Sequence, residues 1–448
     1  MGARRATNCL LGAGRTIGSS PLGGRSNVSK KAALLPKWSV SHLDMMRGIA
    51  AIAVAIFHVR GLMFVDFDSG RVEGKVAKLV YLLTGFGHQA VVVFFVLSGF
   101  FIGTSVMSSN AAGKWSWRSF LLNRFTRIYI VLVPALLLTL LWDNVGMHLF
   151  GADTNIYASK GNAPHGEFMD VRVTGGVGTL LGNLVHLQMI FTKPFGSNSP
   201  LWSLSLEWWM YILFALFLRA AAGRDGTDRL PIVRRLLLAV AGFAILGLAG
   251  KQLTLYFGVW LLGALVARIW HHIRLDNVWL RRAAITGMGG LFAMTLLIAR
   301  LGKLGNQKVE DLVLGAGTAA FVLALLTAGA SQTADASAKK SFYARTATWL
   351  ASYSYTLYLV HFPPLVFLHA WKFQVTRWDP TPTHLAQGAL VCAAVILLYG
   401  FPLSRVTEAH TEKARRWLQQ KLFTRVSPSA AAEPALASAP TLPQTGTD

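Results

Sequence analysis

The stretch LDMMRGIAAIAVAIFH, residues 43–58, carries Arg47 and His58 with only uncharged residues between them. Eleven positions of α-helix are about three turns, so both side chains fall on nearly one face, roughly 16 Å apart along the axis. The run is apolar enough to enter a bilayer. Ionisable side chains on one face of a membrane helix are costly, and they therefore predict a functional site.

The composition of the whole chain indicates a polytopic membrane protein. Of its 448 residues, 53% are hydrophobic and only 14% are charged, whereas a soluble globular protein carries about 25% charged residues. The net charge of +23 comes from basic residues that cluster between apolar segments. The orientation of the helices in a membrane accounts for such clusters, so the positive charge does not indicate nucleic-acid binding. Cys9 and Cys392 lie in unlike surroundings, so neither a disulfide nor a metal site is expected.

Ten segments are long and apolar enough to span a bilayer, which takes about 20 residues. We therefore predict an all-α polytopic bundle of about ten transmembrane helices. The segments cover residues 46–65, 86–106, 128–149, 201–220, 234–250, 253–271, 283–301, 311–330, 349–371 and 384–404. A shorter stretch, 177–191, contains Asn183, His186 and Gln188, and we interpret it as a re-entrant or interfacial piece of an outer loop.

The basic residues give the bundle an orientation. With ten spans and the N-terminus inside, most of the 43 Lys and Arg residues face the cytoplasm, as the positive-inside rule requires. Counting 177–191 as a span would turn the basic loop 219–235 outward. Both termini are therefore predicted to be cytoplasmic.

Three regions follow along the chain. Residues 1–40 are predicted to be a disordered basic cytoplasmic tail, for which a mitochondrial transit peptide is the alternative. Residues 41–408 are predicted to form the membrane domain. Residues 409–448 are predicted to be a cytoplasmic tail that is disordered from about residue 426, where Ala, Pro, Ser and Thr dominate.

Four basic side chains suggest a site for an anionic substrate. Arg47 is suited to paired bonds with a phosphate, and a buried neutral His58 is suited to accepting a proton from a hydroxyl. Arg124 and Arg127 share a helix face at the predicted cytoplasmic start of the third span, where they could clamp a diphosphate. The alternative is that these arginines only orient the membrane domain, with Asp44 as the partner of Arg47.

Two later helices carry polar stripes. Ser203, Glu207 and Tyr211 recur at i, i+4 and i+8. A carboxylate in hydrocarbon needs a partner, so Glu207 is expected to meet Arg47, His58 or another buried polar group.

The second stripe is Ser354, Tyr358 and His361, followed at once by Pro363 and Pro364, which are expected to break the helix. Ser98-Gly99 in the second span suits close helix packing, and no base identifies Ser98 as a nucleophile. The alternative for each of these polar side chains is a structural role, as a hydrogen-bonded residue in the interior of the bundle. Together these helices are predicted to form a substrate groove, and the residues predicted to line it are Asp44, Ser98, Ser203, Tyr211, Tyr358 and His361.

These motifs, in this order, resemble the membrane acyltransferase-three family of integral membrane O-acyltransferases. The resemblance rests on LDxxRG at 43–48 with His58, FFVLSGF at 94–100, RxxRIY at 124–129, WSLSLE at 202–207 with Tyr211, and SYxLYLxH at 354–361. It covers roughly residues 41–408. Trp208 and Met210 depart from the family's usual residues, which bears on specificity.

The resemblance implies transfer of an acyl group, often acetyl, from cytoplasmic acyl-CoA to a hydroxyl of a carbohydrate or glycolipid at the outer face of a bacterial inner membrane. It implies that Arg47 and His58 are essential and that Arg124 and Arg127 bind the donor. We therefore predict catalytic roles for His58, Arg47 and Glu207, with acyl-CoA as co-substrate and no permanently bound cofactor. His58 would act as general base or carry the acyl group itself. A proton-coupled transporter of a lipid-linked sugar or small anion is the alternative function, and an inactive scaffold is a third.

Overall fold

The computed structural model describes residues 35–153, 156–158, 170–225, 228–330, 341–373 and 376–423. The predicted disordered tails therefore lie largely outside the described residues. The described part is built from helices, with one short antiparallel pair of strands, β1 (Arg224–Asp225) and β2 (Asp228–Arg229). The helices are α1 (Lys37–Met63), α2 (Lys75–Leu83), α3 (Gly87–Ala111), α4 (Trp117–Phe150), α5 (Val171–Thr174), α6 (Val177–Leu184), α7 (Leu201–Ala222), α8 (Ile232–Ile269), α9 (Val278–Leu301), α10 (Gln307–Ala330), α11 (Phe342–Ala351), α12 (Ser354–Val360), α13 (Phe362–Lys372), α14 (Pro382–Ala393), α15 (Phe401–Val406) and α16 (Thr411–Phe423).

Eight helical stretches within the described ranges are long and apolar enough to cross a membrane. They begin at Trp38, Lys75, Trp117, Leu201, Ile232, Val278, Gln307 and Pro382. The chain is thus a helical membrane protein, while the count of ten spans stays a prediction.

The stretch that begins at Ile232 contains two of the ten predicted spans. Gly250 has a non-helical backbone, with φ 77° and ψ −168°, in the middle of α8. The ring of Phe217 lies 5.1 Å from that of Phe243 and 6.1 Å from that of Phe257, measured between centroids. These two positions are seven residues before and after Gly250, so the two halves of α8 fold back beside each other.

The ninth predicted span, 349–371, is not one continuous helix. Three short helices, α11, α12 and α13, follow each other here. The break at His361 is where Pro363 and Pro364 open the next helix, as expected from the missing proline N–H groups. The break at Ser352 and Tyr353 has no proline, and apolarity alone gave no sign of it.

Two helices begin earlier than their apolar segments indicate. α1 begins at Lys37 after Pro36, so the last residues of the predicted tail 1–40 are helical. α4 begins at Trp117, where the Ser116 side chain accepts a hydrogen bond from the Ser119 N–H. The first turns of α4 are too polar to be recognised as membrane helix, which explains the predicted start at 128.

The segment 177–191 forms the short helix α6 and a tight turn. His186 and Met189 have positive φ angles of 59° and 71°, which side chains other than glycine adopt rarely. The Leu184 carbonyl accepts a hydrogen bond from the Tyr129 hydroxyl at 2.5 Å. Because Tyr129 is about a third of the way along the 34-residue helix α4, the segment reaches into the bundle. This depth agrees with a re-entrant segment.

A close helix contact joins α3 to the second half of α8. A Cβ atom on Gly99 would collide with the Trp260 carbonyl oxygen, and one on Gly263 would collide with the Val96 carbonyl oxygen. Small residues at such crossings let two backbones approach closely, as is usual in membrane helices. The contact holds Ser98 of α3 within hydrogen-bonding reach of α8.

α1 runs in the same direction as the broken helix α11–α13. Arg47 donates to the Ala351 carbonyl at 2.9 Å, His58 lies 2.8 Å from His361, and the Leu62 carbonyl lies 2.7 Å from His369 Nδ1. The residue numbers on both sides increase together, which is the signature of parallel helices. This pairing positions the ionisable residues of α1.

We predict that Gly263→Ala destabilises the bundle by about 1–3 kcal/mol, because its methyl group must displace the α3 backbone. Thermal unfolding of the purified chain in one detergent measures the effect. Gly258→Ala is the matched control on the same helix, since nothing lies within 4 Å of its added Cβ. The stability of the control variant is expected to be unchanged, or to rise by up to about 1 kcal/mol because alanine has a higher helix propensity than glycine. Equal stability of the two variants would contradict the close contact.

Candidate active site

A cavity of about 300 Å³ lies between α1, α3, α4, α7 and α12. It collects most of the predicted site residues from five separate parts of the chain. Its polar wall consists of Arg47, Ser98, Arg124, Arg127, Ser203, Glu207, Tyr211, Ser354, Tyr355 and Tyr358. The remainder is apolar, with Phe94, Phe95, Phe101 and several aliphatic side chains.

Three arginines give this cavity its charge. Arg47 donates to the Ala351 carbonyl and lies 3.8 Å from Asp44, so the predicted Asp44 partnership is present. The Arg124 guanidinium carbon lies 5.8 Å from the centre of the Tyr211 ring. Arg127 is exposed to solvent at the cavity. Because apolar walls screen charge poorly, these cations attract an anion more strongly than they would in open water.

The sequence suggested that Arg124 and Arg127 lie at the start of their helix, but the helix begins earlier. Since α4 begins at Trp117, the pair lies in its second and third turns, on the face that meets the cavity. The i, i+3 spacing gives both side chains the same direction. They are therefore set deeper in the bundle than residues whose only role is to flank a span.

Glu207 is held by a hydrogen-bonded chain of hydroxyl groups. Ser98 Oγ donates to Glu207 Oε1 at 2.9 Å, and the Tyr211 hydroxyl donates to the same oxygen. Trp260 Nε1 donates to Ser98 Oγ at 3.2 Å. The expected buried partner thus exists, but it is this hydroxyl pair. For His58, the other partner that was considered, the ring nitrogen Nδ1 lies 2.8 Å from His361 Nε2.

His58 and His361 form a pair of stacked imidazoles, with centroids 5.0 Å apart. His361 Nδ1 lies 2.9 Å from the Leu357 carbonyl and 3.0 Å from the Tyr358 carbonyl, so this nitrogen carries the proton. His361 Nε2 then accepts from His58 Nδ1, at 2.8 Å. By this assignment from the hydrogen-bond network, His58 Nε2 is unprotonated and can accept a proton.

The histidine pair adjoins the cavity but does not line it. Neither His58 nor His361 belongs to the wall, and His361 is wholly buried. Tyr358 lies next to both the cavity and the histidine pair. Its hydroxyl lies 2.6 Å from Ser203 Oγ, and its ring centroid lies 6.3 Å from that of His361. The rings of Phe94 and Tyr358 pack edge to face at 5.9 Å. His361 and Asp44, which were predicted to line the groove, are not among the residues that line this cavity.

Two polar residues of the site were missed by the sequence analysis. Tyr355 lines the cavity, and its buried hydroxyl has no hydrogen-bond partner among the described residues. Its i, i+3 spacing to Tyr358 was the available signal. Glu408 accepts hydrogen bonds at 3.1 Å from the Thr356 N–H and hydroxyl. It is an electrostatic neighbour of Arg127 and Arg47, and its acidic side chain beside the tenth predicted span could have marked it.

Comparison with known proteins assigns the chain to a family. The Acyl_transf_3 family, described as an acyltransferase domain, matches residues 40–401. Acyltransferase MdmB of Streptomyces mycarofaciens is 26% identical over 397 residues, which cover 82% of this chain and 90% of that protein. No solved structure gives a significant match. The chain belongs to the Acyl_transf_3 family, and it is a multi-pass membrane O-acyltransferase.

We predict that Glu207→Gln keeps the bundle intact, because an amide oxygen still accepts from Ser98 and Tyr211. Glu207→Ala leaves both hydroxyls without this acceptor and should cost about 1–3 kcal/mol. Unfolding of both variants in detergent is compared with that of Glu73→Ala, a change at an exposed carboxylate. If the Gln variant were as unstable as the Ala variant, charge and not hydrogen bonding would hold this group.

Proposed function

We propose that this chain transfers an acyl group from cytoplasmic acyl-CoA to a hydroxyl of a carbohydrate or glycolipid at the outer face of the membrane. The observation that carries the proposal is the convergence of Arg47, Arg124 and Arg127 on one cavity beside a histidine that can accept a proton. A donor with a diphosphate at one end and a thioester at the other suits both features. Acetyl-CoA is the donor expected first.

The donor's phosphates bind at the arginine end of the cavity. A guanidinium makes two parallel bonds to phosphate oxygens, and Arg127 lies in the cavity wall with Arg124 one turn before it. Glu207 in the same cavity wall supplies a counter-charge, which keeps the cavity from being purely cationic. The acyl end then extends along the apolar wall toward Phe94 and Tyr358.

The proposed topology brings the two substrates from opposite sides. Ten spans with both termini in the cytoplasm put Arg124 and Arg127 toward the inner face of a bacterial inner membrane. The parallel course of α1 and α11–α13 supports it, because the first and ninth predicted spans must run the same way. The fold-back of α8 at Gly250 supports counting two spans there.

The proposed reaction uses His58 as general base. Its unprotonated Nε2 takes the proton of the acceptor hydroxyl while the hydroxyl oxygen attacks the thioester carbonyl carbon. The carbon–sulfur bond then breaks, an ester forms, and the thiolate of CoA takes the proton from His58. His361 is a positioning residue, because it accepts the Nδ1 proton of His58 and so holds the reactive tautomer. Tyr358 and Phe94 must move aside for the thioester to reach His58.

We predict that Arg127→Ala raises the KM for acetyl-CoA about ten-fold or more, because a charge-assisted bond to phosphate is lost. Turnover at saturating donor should fall much less. Release of the CoA thiol from acetyl-CoA by the purified chain measures both. Arg118→Ala is the matched control on α4, at an exposed position outside the cavity wall. An unchanged KM in Arg127→Ala would rule out this side chain as a donor contact.

We predict that His58→Ala lowers turnover by about 10²–10⁴-fold, the usual share of general-base help, without loss of folded protein. His361→Ala should lower turnover less, and His361→Gln should recover part of the loss because an amide oxygen can accept the His58 proton. Acyl transfer and unfolding are measured on the same preparations. Half of the original activity in His58→Ala would remove this residue from the mechanism.

Thioester cleavage also separates the enzyme from the alternative function. A proton-coupled transporter would move its solute without releasing the CoA thiol. Mass spectrometry of surface glycans from cells with and without the chain would identify the acyl group and the acceptor together.

A further inference from the structure

The cavity between α1, α3, α4, α7 and α12 is too small to enclose a whole CoA thioester. Its volume of about 300 Å³ is at the lower end of the roughly 300–1,000 Å³ of sites for drug-sized ligands, and a CoA thioester is larger than such ligands. If Arg124 and Arg127 hold the diphosphate, the acyl and pantetheine parts occupy the cavity. The adenosine and its 3′-phosphate then lie outside the cavity, on the surface beside these arginines.

The last helix, α16, forms part of the surface beside Arg124. It packs against α4, and Arg415 Nη1 donates to Asn123 Oδ1 at 3.4 Å. Asn123 directly precedes Arg124 in α4, and Arg415 is an electrostatic neighbour of Arg124. In the proposed topology α16 is cytoplasmic, because it follows the tenth predicted span. Arg415 therefore lies beside a donor arginine, on the side of the membrane from which acyl-CoA comes.

The guanidinium of Arg415 can be reached by a ligand from solvent. One third of the side chain is exposed, and its ion-pair partner in the same helix, Glu412, is 63% exposed. Such an exposed ion pair contributes little to stability, because water and salt screen it. A phosphate that accepts paired, charge-assisted bonds from a guanidinium binds more strongly. A phosphate group is therefore able to take the place of Glu412.

The local charges favour a phosphate monoester over a less charged group. A monoester such as a 3′-phosphate carries a charge of about −1.5 to −2 at pH 7. Arg124 and Arg415 are two cations held near each other, and like charges repel. A dianion beside both of them removes this repulsion. The side-chain amide of Asn123 accepts from Arg415 through its oxygen, and its NH₂ group is a further hydrogen-bond donor at the same place.

We propose that Arg415 binds the 3′-phosphate of the acyl-CoA donor at the cytoplasmic entrance of the cavity. The proposal rests on the proposed function, because it takes acyl-CoA as the donor, and it adds the group that recognises the nucleotide end. The donor is then held at two places, the diphosphate by Arg124 and Arg127 and the monoester by α16. Such a site selects CoA thioesters over thioesters of phosphopantetheine alone, which lack the 3′-phosphate.

The test compares acetyl-CoA with 3′-dephospho-acetyl-CoA as donors for the purified full chain in detergent. Release of the CoA thiol gives the KM for each donor. Arg415→Gln is the informative variant, because it removes the charge and keeps a polar side chain that can still donate to Asn123. Arg416→Gln is the matched control, since it removes the same charge at the next residue of α16, where the side chain is exposed.

In the original chain the KM for 3′-dephospho-acetyl-CoA should be about ten-fold or more above that for acetyl-CoA, because a charge-assisted contact is missing. Arg415→Gln should raise the KM for acetyl-CoA by a similar factor and leave the KM for 3′-dephospho-acetyl-CoA unchanged. Arg415→Lys keeps the charge and should retain part of the preference for acetyl-CoA. Arg416→Gln should retain all of it.

A purely structural role of Arg415, in fixing α16 against α4, would change the KM for both donors by the same factor. That result in Arg415→Gln would overturn the proposal. Equal KM values for the two donors in the original chain, or an equal loss of preference in Arg415→Gln and Arg416→Gln, would also overturn it.

Equilibrium binding of CoA and 3′-dephospho-CoA to the same preparations separates this proposal from the proposed function. If acetyl-CoA is cleaved without any preference for the 3′-phosphate, the contact with Arg415 is refuted and the acyl transfer stands. If CoA binds more tightly than 3′-dephospho-CoA through Arg415 but no thioester is cleaved, the contact stands and the acyl transfer is refuted.

Discussion

The site depends on the parallel contact between α1 and the broken helix α11–α13. Ionisable groups inside a membrane bundle persist only where partners or water meet them. Here the partners of α1 come from one neighbour: the Ala351 carbonyl for Arg47 and His361 for His58. Gly48 allows the approach, because any added Cβ would collide with Leu350. The carbonyls of Leu357 and Tyr358, in the last turn of α12, lie 2.9 and 3.0 Å from His361 Nδ1, and they fix the tautomer of both histidines.

Sequence reasoning gave the helical membrane architecture and most of the cavity wall, because apolar length and helical spacing are local properties. Arg47, Ser98, Arg124, Arg127, Ser203, Glu207, Tyr211 and Tyr358 were all anticipated, and all line one cavity. Sequence reasoning could not identify the partner of a side chain where that partner depended on which helices contact each other. The sequence left Arg47, His58 or another buried polar group open as the partner of Glu207, and the structure shows that the partners are the hydroxyls of Ser98 and Tyr211. The break at Ser352 and the contact of Tyr355 with the cavity were likewise decided by packing.

The two ends of α4 have opposite chemistry. Its N-terminal half carries Arg124 and Arg127 into the cavity that Arg47 also lines, and its C-terminal half carries the buried carboxylate of Asp143, which accepts from the Ser197 N–H. The histidine pair adjoins Tyr358 of the cavity wall, and the neighbouring Leu359 carbonyl accepts from Asn198 Nδ2.

The most direct test is an experimental structure of the full chain bound to a thioether analogue of acetyl-CoA that cannot be cleaved. The account predicts the diphosphate between Arg124 and Arg127, and the acyl carbon beside Tyr358, within reach of His58. An analogue bound outside this cavity, or bound with its acyl end directed away from His58, would contradict the account.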